Sequence, residues 1–257
     1  MKAVIVAAGM GLRLRPRSNT MPKGLIEIDG KSLLEYSLDA LDNTGIKETV
    51  IVIGFLGDLI REKIGMNYKD MKITYVSNEE YSETGSMYSF SKAKEIIGKD
   101  NIILLESDLL YEYRAIKLLL ESDHENCLFV AGISGSGDEV YVCVDNEQRI
   151  TDIGKNLEKE DKKMAIGEFI GISKFSGEFL NKLFAHAEED YRNGEVGYYC
   201  EDCALAVSES DSRIYAVLCR DLIWTEIDNE ADLSRAREQV YPKLSKKIIK
   251  RYECGEG

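Results

Sequence analysis

Two glycines and an arginine follow an apolar run near the N-terminus, in Ala7-Ala-Gly-Met-Gly-Leu-Arg-Leu-Arg-Pro16. Glycine at 9 and 11 lets backbone N–H groups approach a polyphosphate closely, and the Arg13 guanidinium can pair with its oxygens. The usual glycine-rich nucleotide motifs do not fit. The fingerprint G-x-G-x-x-G meets Leu14 where its third glycine belongs, and a P-loop ending in Gly30-Lys-Ser32 would need glycine in place of Leu25. Late in the chain, Trp224-Thr-Glu-Ile-Asp228 sets two acids two positions apart. On a strand this puts Glu226 and Asp228 on one face. Carboxylates gathered without cationic partners repel, and hard oxygen ligands favour Mg²⁺. A solvated acidic strand edge is the plainer alternative.

Three further segments carry polar groups of use. Ser77-Asn-Glu-Glu-Tyr-Ser-Glu-Thr-Gly-Ser-Met-Tyr-Ser-Phe90 offers Asn78, Thr84 and Ser86 as small donors and acceptors for a nucleobase edge, with Gly85 permitting close approach. Ser86 also suits the N-cap of a following helix. Tyr198-Tyr-Cys-Glu-Asp202 combines aromatic faces with carboxylates, which attract a small cation; tyrosines packed at a helix start are the competing reading. Lys155, in Ile153-Gly-Lys-Asn156, reads on its own as a surface lysine in a turn. Only His124 and His186 are present, which counts against Ser-His-Asp, Cys-His and H-E-x-x-H chemistry. Cys200 and Cys203 have CxxC spacing, but zinc would need a second ligand pair, and none exists. Reduced thiols are expected throughout.

These residues need a scaffold, and the pattern supplies an α/β one. Lys2–Ala7, Thr49–Ile53, Ile73–Val76 and Ile102–Leu105 read as buried strands. Ser32-Leu-Leu-Glu35 is a capping box opening a helix, Leu56–Ile64 is another, and a helical stretch runs from about Met87 to Ile97. Strands alternating with helices imply a doubly wound, mostly parallel sheet, whose ligands lie beyond the carboxyl ends of the strands. In the second half, Cys127–Ile133, Val140–Val144 and Ile150–Ile153 read as short antiparallel strands. Phe175–Tyr191 and Cys203–Ser208 read as helices, and Arg213–Leu218 with Leu222–Ile227 as strands. The expected organisation is one domain over 1–240, with a nucleotide-binding half (1–125) and an acceptor and metal half (126–240). A basic helical tail or linker over 241–257 follows.

With 33 basic and 46 acidic residues the 257-residue chain carries a net charge of −13, the reverse of what phosphate-driven nucleic-acid binding needs. Phosphates must therefore be met locally, by a few placed cations. No apolar run reaches the length of a membrane span and no signal-peptide layout is present, so a soluble cytoplasmic protein is expected.

The glycine loop becomes specific through its continuation. Gly9-Met-Gly-Leu-Arg13 followed by Met21-Pro-Lys-Gly-Leu-Ile26 resembles the opening of the sugar-nucleotidyltransferase superfamily, which joins an NTP to a small phosphorylated acceptor. The resemblance runs from Met1 to about Ala236. It implies that Ala8, Gly9, Gly11 and Arg13 cradle the triphosphate while Lys23 neutralises it near the breaking bond. It also implies that Asp108 joins Glu226 and Asp228 around Mg²⁺, and that Lys155 contacts the acceptor's phosphate. The 77–90 segment, with Tyr88-Ser-Phe90, most resembles the cytidylyltransferases of phosphocholine and 2-aminoethylphosphonate. That branch implies CTP, with Asn78, Thr84, Gly85 and Ser86 at the nucleotide. Tyr88, Lys155, Tyr198, Glu201 and Asp202 would then stand at a small zwitterionic acceptor. The implied product is a CMP-linked phosphonate, with pyrophosphate released and 2-aminoethylphosphonate favoured as acceptor. Phosphocholine is the alternative, since 14 tyrosines could build a cage for it even though Trp224 is the only tryptophan. A nucleotide-sensing module without catalysis is a second alternative, against which Lys23, Asp108, Glu226 and Asp228 together argue. A homodimer, or attachment to a further catalytic domain through the tail, stays open.

Overall fold

The computed structural model describes residues 1–209 and 212–253. Cys254 and the closing Gly-Glu-Gly lie outside the described residues.

The first strand, β1 (Lys2–Ala7), leads into a loop of three short 3-10 turns. A small hairpin, β2 (Glu27–Ile28) and β3 (Lys31–Ser32), delivers the chain to α1 (Leu33–Asp42). The capping box forms as the sequence requires: Ser32 accepts from the Glu35 N–H and Glu35 accepts from the Ser32 N–H. β4 (Glu48–Ile53), α2 (Gly57–Ile64), β5 (Asn67–Tyr68) and β6 (Met71–Ser77) follow. The helical stretch expected to Ile97 is broken into α3 (Ser86–Ser91) and α4 (Lys94–Ile97) before β7 (Ile102–Glu106). Then come β8 (Leu109–Tyr111), α5 (Arg114–Glu121), β9 (Cys127–Ala131), β10 (Tyr141–Val144), β11 (Ile150–Gly154) and α6 (Lys159–Met164). The remainder is β12 (Gly167–Phe175), α7 (Gly177–Arg192), α8 (Cys200–Ser208), β13 (Tyr215–Cys219), β14 (Trp224–Glu226), α9 (Glu230–Arg235) and α10 (Tyr241–Glu253).

The main sheet runs β11-β10-β12-β7-β1-β4-β6-β5, with β9 on β12 and β13 on β9. β7, β1, β4 and β6 are parallel, and β12 runs antiparallel to β7. Alternation sends Ala3, Ile5, Ile51, Ile53, Ile103 and Leu105 to one face, beneath α1, α2 and α5. Val4, Val50, Val52, Ile102 and Leu104 face the other way, beneath α3, α7 and α8. Both faces are covered, which is why these strands read as continuous apolar runs.

One reading is corrected. Phe175 ends a long strand rather than opening a helix; Ser176 caps the helix through the Phe179 N–H. The antiparallel strands expected in the second half are present, with β10 against β11 and β9 against β12, and β13 joins β9 in parallel. The tail is helical as α10, and its Leu244 is buried in one cluster with Val240, Leu14, Leu110, Ile227 and Leu233. Lys247 at the same time reaches the buried Glu112 at 2.9 Å. No helix among the described residues is long and apolar enough to cross a membrane.

Candidate active site

A cleft of about 540 Å³ opens beyond the carboxyl ends of β1 and β7. Its lining brings together Ala8, Gly9, Gly11, Arg13, Lys23, Thr84, Gly85, Ser86, Asp108, Lys155, Glu201, Glu226 and Asp228. Tyr199 lines it as well.

Local structure explains how each part arrives. Gly11 takes φ +60 at the start of the first 3-10 turn, and a Cβ there would come within 2.8 Å of the Lys23 side chain. Glycine thus lets the loop close over Lys23. Asp108 follows β7, and the β8–β14 ribbon carries Glu226 and Asp228 back to it, with the Ile227 N–H donating to the Asp108 carbonyl at 3.0 Å. Gly85 joins the two halves: its N–H donates to the Val196 carbonyl at 2.7 Å, and a Cβ would lie 2.2 Å from the Tyr198 carbonyl oxygen.

The cations are already paired with acids. Lys23 donates to Asp108 Oδ2 at 2.7 Å and to Asp228 Oδ1. Arg13 donates to Asp228 Oδ2 and to Asp138 Oδ2, each at 2.6 Å, and Lys155 reaches that same Asp138 oxygen at 2.9 Å. Burial works against the Lys23 charge, but Asp108 and Asp228 outweigh it and hold its pKa above the ordinary lysine value. Lys23 is therefore an ammonium at any working pH. Burial, with Asp108 close by, pushes the Glu106 and Glu226 carboxyls above the usual carboxylate range. Asp228 is buried too, yet Lys23 holds its carboxyl below that range. Glu201 is pushed by burial up to about 7.

The carboxylates fit a divalent cation. Oxygens of Glu106, Asp108 and Glu226 lie within 4.8 Å of one another, and Asp108 Oδ1 is buried without a hydrogen-bond partner among the described residues. An oxygen-only donor set suits a hard ion. Of the three acids the sequence singles out, Asp228 stands beside the cluster with both oxygens engaged by Lys23 and Arg13.

Four expected site residues do not line the cleft. Asn78 is fully buried and organises its loop, donating to Thr84 Oγ1 and Ser89 Oγ at 3.0 Å and accepting from the Glu80 N–H. Tyr88 donates to Glu80, stands edge-on to Tyr191 and lies under the Lys92 ammonium. The Tyr198 ring turns to Tyr191 and Cys203. Asp202 caps α8 by accepting from the Tyr199 N–H at 3.1 Å. Ser86 is no N-cap: its hydroxyl accepts from the Cys200 N–H, so it ties α3 to α8. All five cysteines among the described residues are free thiols.

Glu106 and Asp138 were missed. Glu106 stands two positions before Asp108, the same spacing that flags Glu226 and Asp228, and that signal was present. Asp138 sits in a loop with glycines at positive φ on either side of Ser136, and nothing local marks its role.

Residues 2–239 match the family model described as nucleotidyl transferase. A CMP-5'-(3-aminopropyl)phosphonate synthase of Streptomyces rubellomurinus is 28% identical over 96% of this chain, which spans only 40% of that protein's length. A CTP:phosphoglutamine cytidylyltransferase of Campylobacter jejuni is 27% identical, covering 91% of this chain and 98% of that one. A 2-aminoethylphosphonate cytidylyltransferase of Lancefieldella rimae is 26% identical over 90% of each. Among solved structures, the inositol-1-phosphate CTP transferase from T. maritima superposes with a TM-score of 0.77 over 95% of both chains, at 23% identity.

Proposed function

Because the chain belongs to the nucleotidyl transferase family, we propose that it is a CTP-dependent cytidylyltransferase whose acceptor is a small phosphono-amine, 2-aminoethylphosphonate before others. Relatives named for CTP, for aminoalkyl phosphonates and for phosphoglutamine support the nucleotide and the acceptor class. One observation carries the amine. Glu201 lines the cleft near Lys155 and is buried, and its Oε2 has no hydrogen-bond partner among the described residues. A buried carboxylate oxygen left without a donor is costly, and an ammonium supplies up to three N–H donors. A trimethylammonium supplies none and would need an aromatic cage; Tyr88 and Tyr198 turn away from the cleft, which leaves Tyr81 and Tyr199 as the tyrosines lining it.

In this reading the acceptor's phosphonate oxygen attacks the α-phosphorus of CTP, the bond to the bridging oxygen breaks, and pyrophosphate leaves. The oxyanion is already ionised at neutral pH, so no general base is required. Backbone around Gly9 and Gly11 takes the triphosphate, Arg13 and Lys23 pair with its oxygens, and Lys155 holds the phosphonate. Those cations exchange their carboxylate partners for substrate oxygens when the ligands enter. Asp108 and Glu226 would hold Mg²⁺, which when bound supplies charge neutralisation on the phosphates. What remains for the protein is positioning two anions against each other.

The test is pyrophosphate release with CTP, ATP, GTP and UTP against 2-aminoethylphosphonate, 3-aminopropylphosphonate and phosphocholine. CTP is expected to dominate, and kcat/KM for 2-aminoethylphosphonate should exceed that for phosphocholine by at least ~100-fold. Equal values, or a preference for phosphocholine, would remove the amine assignment.

A further inference from the structure

We propose that Glu106 is a ligand of the divalent cation, completing with Asp108 and Glu226 a three-carboxylate site; this rests on the metal-assisted reading above.

The first argument is the distribution of positive charge. Three carboxylates whose oxygens lie within 4.8 Å of one another repel when ionised, and a cation among them relieves that repulsion. Among the described residues, Lys23 alone forms an ion pair with the group, at Asp108 Oδ2, leaving Asp108 Oδ1 buried and without a hydrogen-bond partner. The Glu106 carboxylate makes no hydrogen bond or ion pair among the described residues. Asp228 is the contrast, with one oxygen paired to Lys23 and the other to Arg13. Left without an ion pair among the described residues are therefore Glu106, Glu226 and the Oδ1 atom of Asp108.

The second argument is backbone shape. β12 pairs with β7 from Ile172 to Phe175, its register against β9 shifts between Phe169 and Ser173, and inside that shift Gly171 adopts φ +76. A Cβ at 171 would come within 3.0 Å of Glu106 Cγ and 3.1 Å of its Cδ. The neighbouring strand is thus bent, and stripped of a side chain, where the Glu106 stem passes. A solvated acid at a strand end would need no such accommodation.

The probe is Mn²⁺ alone, titrated into the nucleotide-free full chain and followed by its paramagnetic resonance. Glu106→Gln removes the charge; Glu106→Asp keeps it but draws the carboxylate back by one methylene. Each should weaken Mn²⁺ binding by about tenfold or more. Glu201→Gln, which removes a nearby charge outside the cluster, should change it by less than about threefold. Parental binding by Glu106→Asp would show that only net charge matters, and parental binding by both Glu106 variants would likewise overturn the assignment. If the parent protein binds no Mn²⁺, the metal-assisted reading itself fails. Unchanged circular dichroism ensures that the variants are folded when compared.

Discussion

Lys23 donates to Asp108 across 2.7 Å of space and 85 positions of sequence, and its second partner, Asp228, comes from the far end of the domain. One buried ammonium thereby ties the loop after β1 to the exit of β7 and the exit of β14. The pairing preorganises the cation that the leaving pyrophosphate would meet.

Lys23→Ala should lower kcat by about 10²–10³-fold while raising KM for CTP much less, because charge on the leaving group grows toward the transition state. A change confined to KM would make Lys23 a binding residue only. The free variant should also lose about 3–5 kcal/mol of stability, since breaking a buried pair leaves carboxylates uncompensated. Calorimetry with and without Mg²⁺ checks this: the ion should restore part of the loss.

For Asp108→Asn, turnover at saturating Mg²⁺ should fall by at least ~10²-fold. Its melting temperature without nucleotide should move only a few degrees, because the lost pair with Lys23 is offset by relief of repulsion from Glu106 and Glu226. Turnover within tenfold of the parent would take Asp108 out of the mechanism.

Glu201 makes a signed pH prediction. Its folded-state pKa, about 7, lies above the ordinary glutamate value of 4.5, so the folded protein holds this proton more tightly than the unfolded chain. The associated stability is fully present below the lower value and is lost as pH rises through about 7, on the order of 3 kcal/mol in all. Glu201→Gln has nothing to lose in that window. Relative to the parent, it should therefore melt higher at pH 8 than at pH 5, and an equal difference at both pH values would refute the titration. The same variant should raise KM for an amine acceptor.

Gly85→Ala tests the seam between the halves. The added Cβ would lie 2.2 Å from the Tyr198 carbonyl oxygen and 2.7 Å from the Gly197 carbonyl carbon, so backbone must shift. A loss of about 1–3 kcal/mol is expected, with KM rising for CTP and for the acceptor together. An effect on one substrate alone would show that the two sides move independently.

Much of this protein is local and therefore legible in its sequence. The capping box at Ser32 and Glu35, the alternating strands β1, β4 and β7, and the glycine loop leading to Arg13 each depend on near neighbours. The two-residue spacing of Glu226 and Asp228 is equally plain. Tertiary structure decided what depends on distant chain. β12 is interrupted by Gly171, Ser173 and Lys174, so no apolar run announces it, yet it forms the antiparallel wall beside β7. Tyr88, Tyr198 and Asp202 have suitable chemistry, but packing against Tyr191 and the start of α8 turns their side chains away. Asp138 joins Arg13 to Lys155 only because a loop from the second half folds over the first. Residue type and spacing determine which groups can carry charge or reach a phosphate. Which of them share a cleft is set by the crossing of β7, β12 and β14, a long-range arrangement that no local window contains.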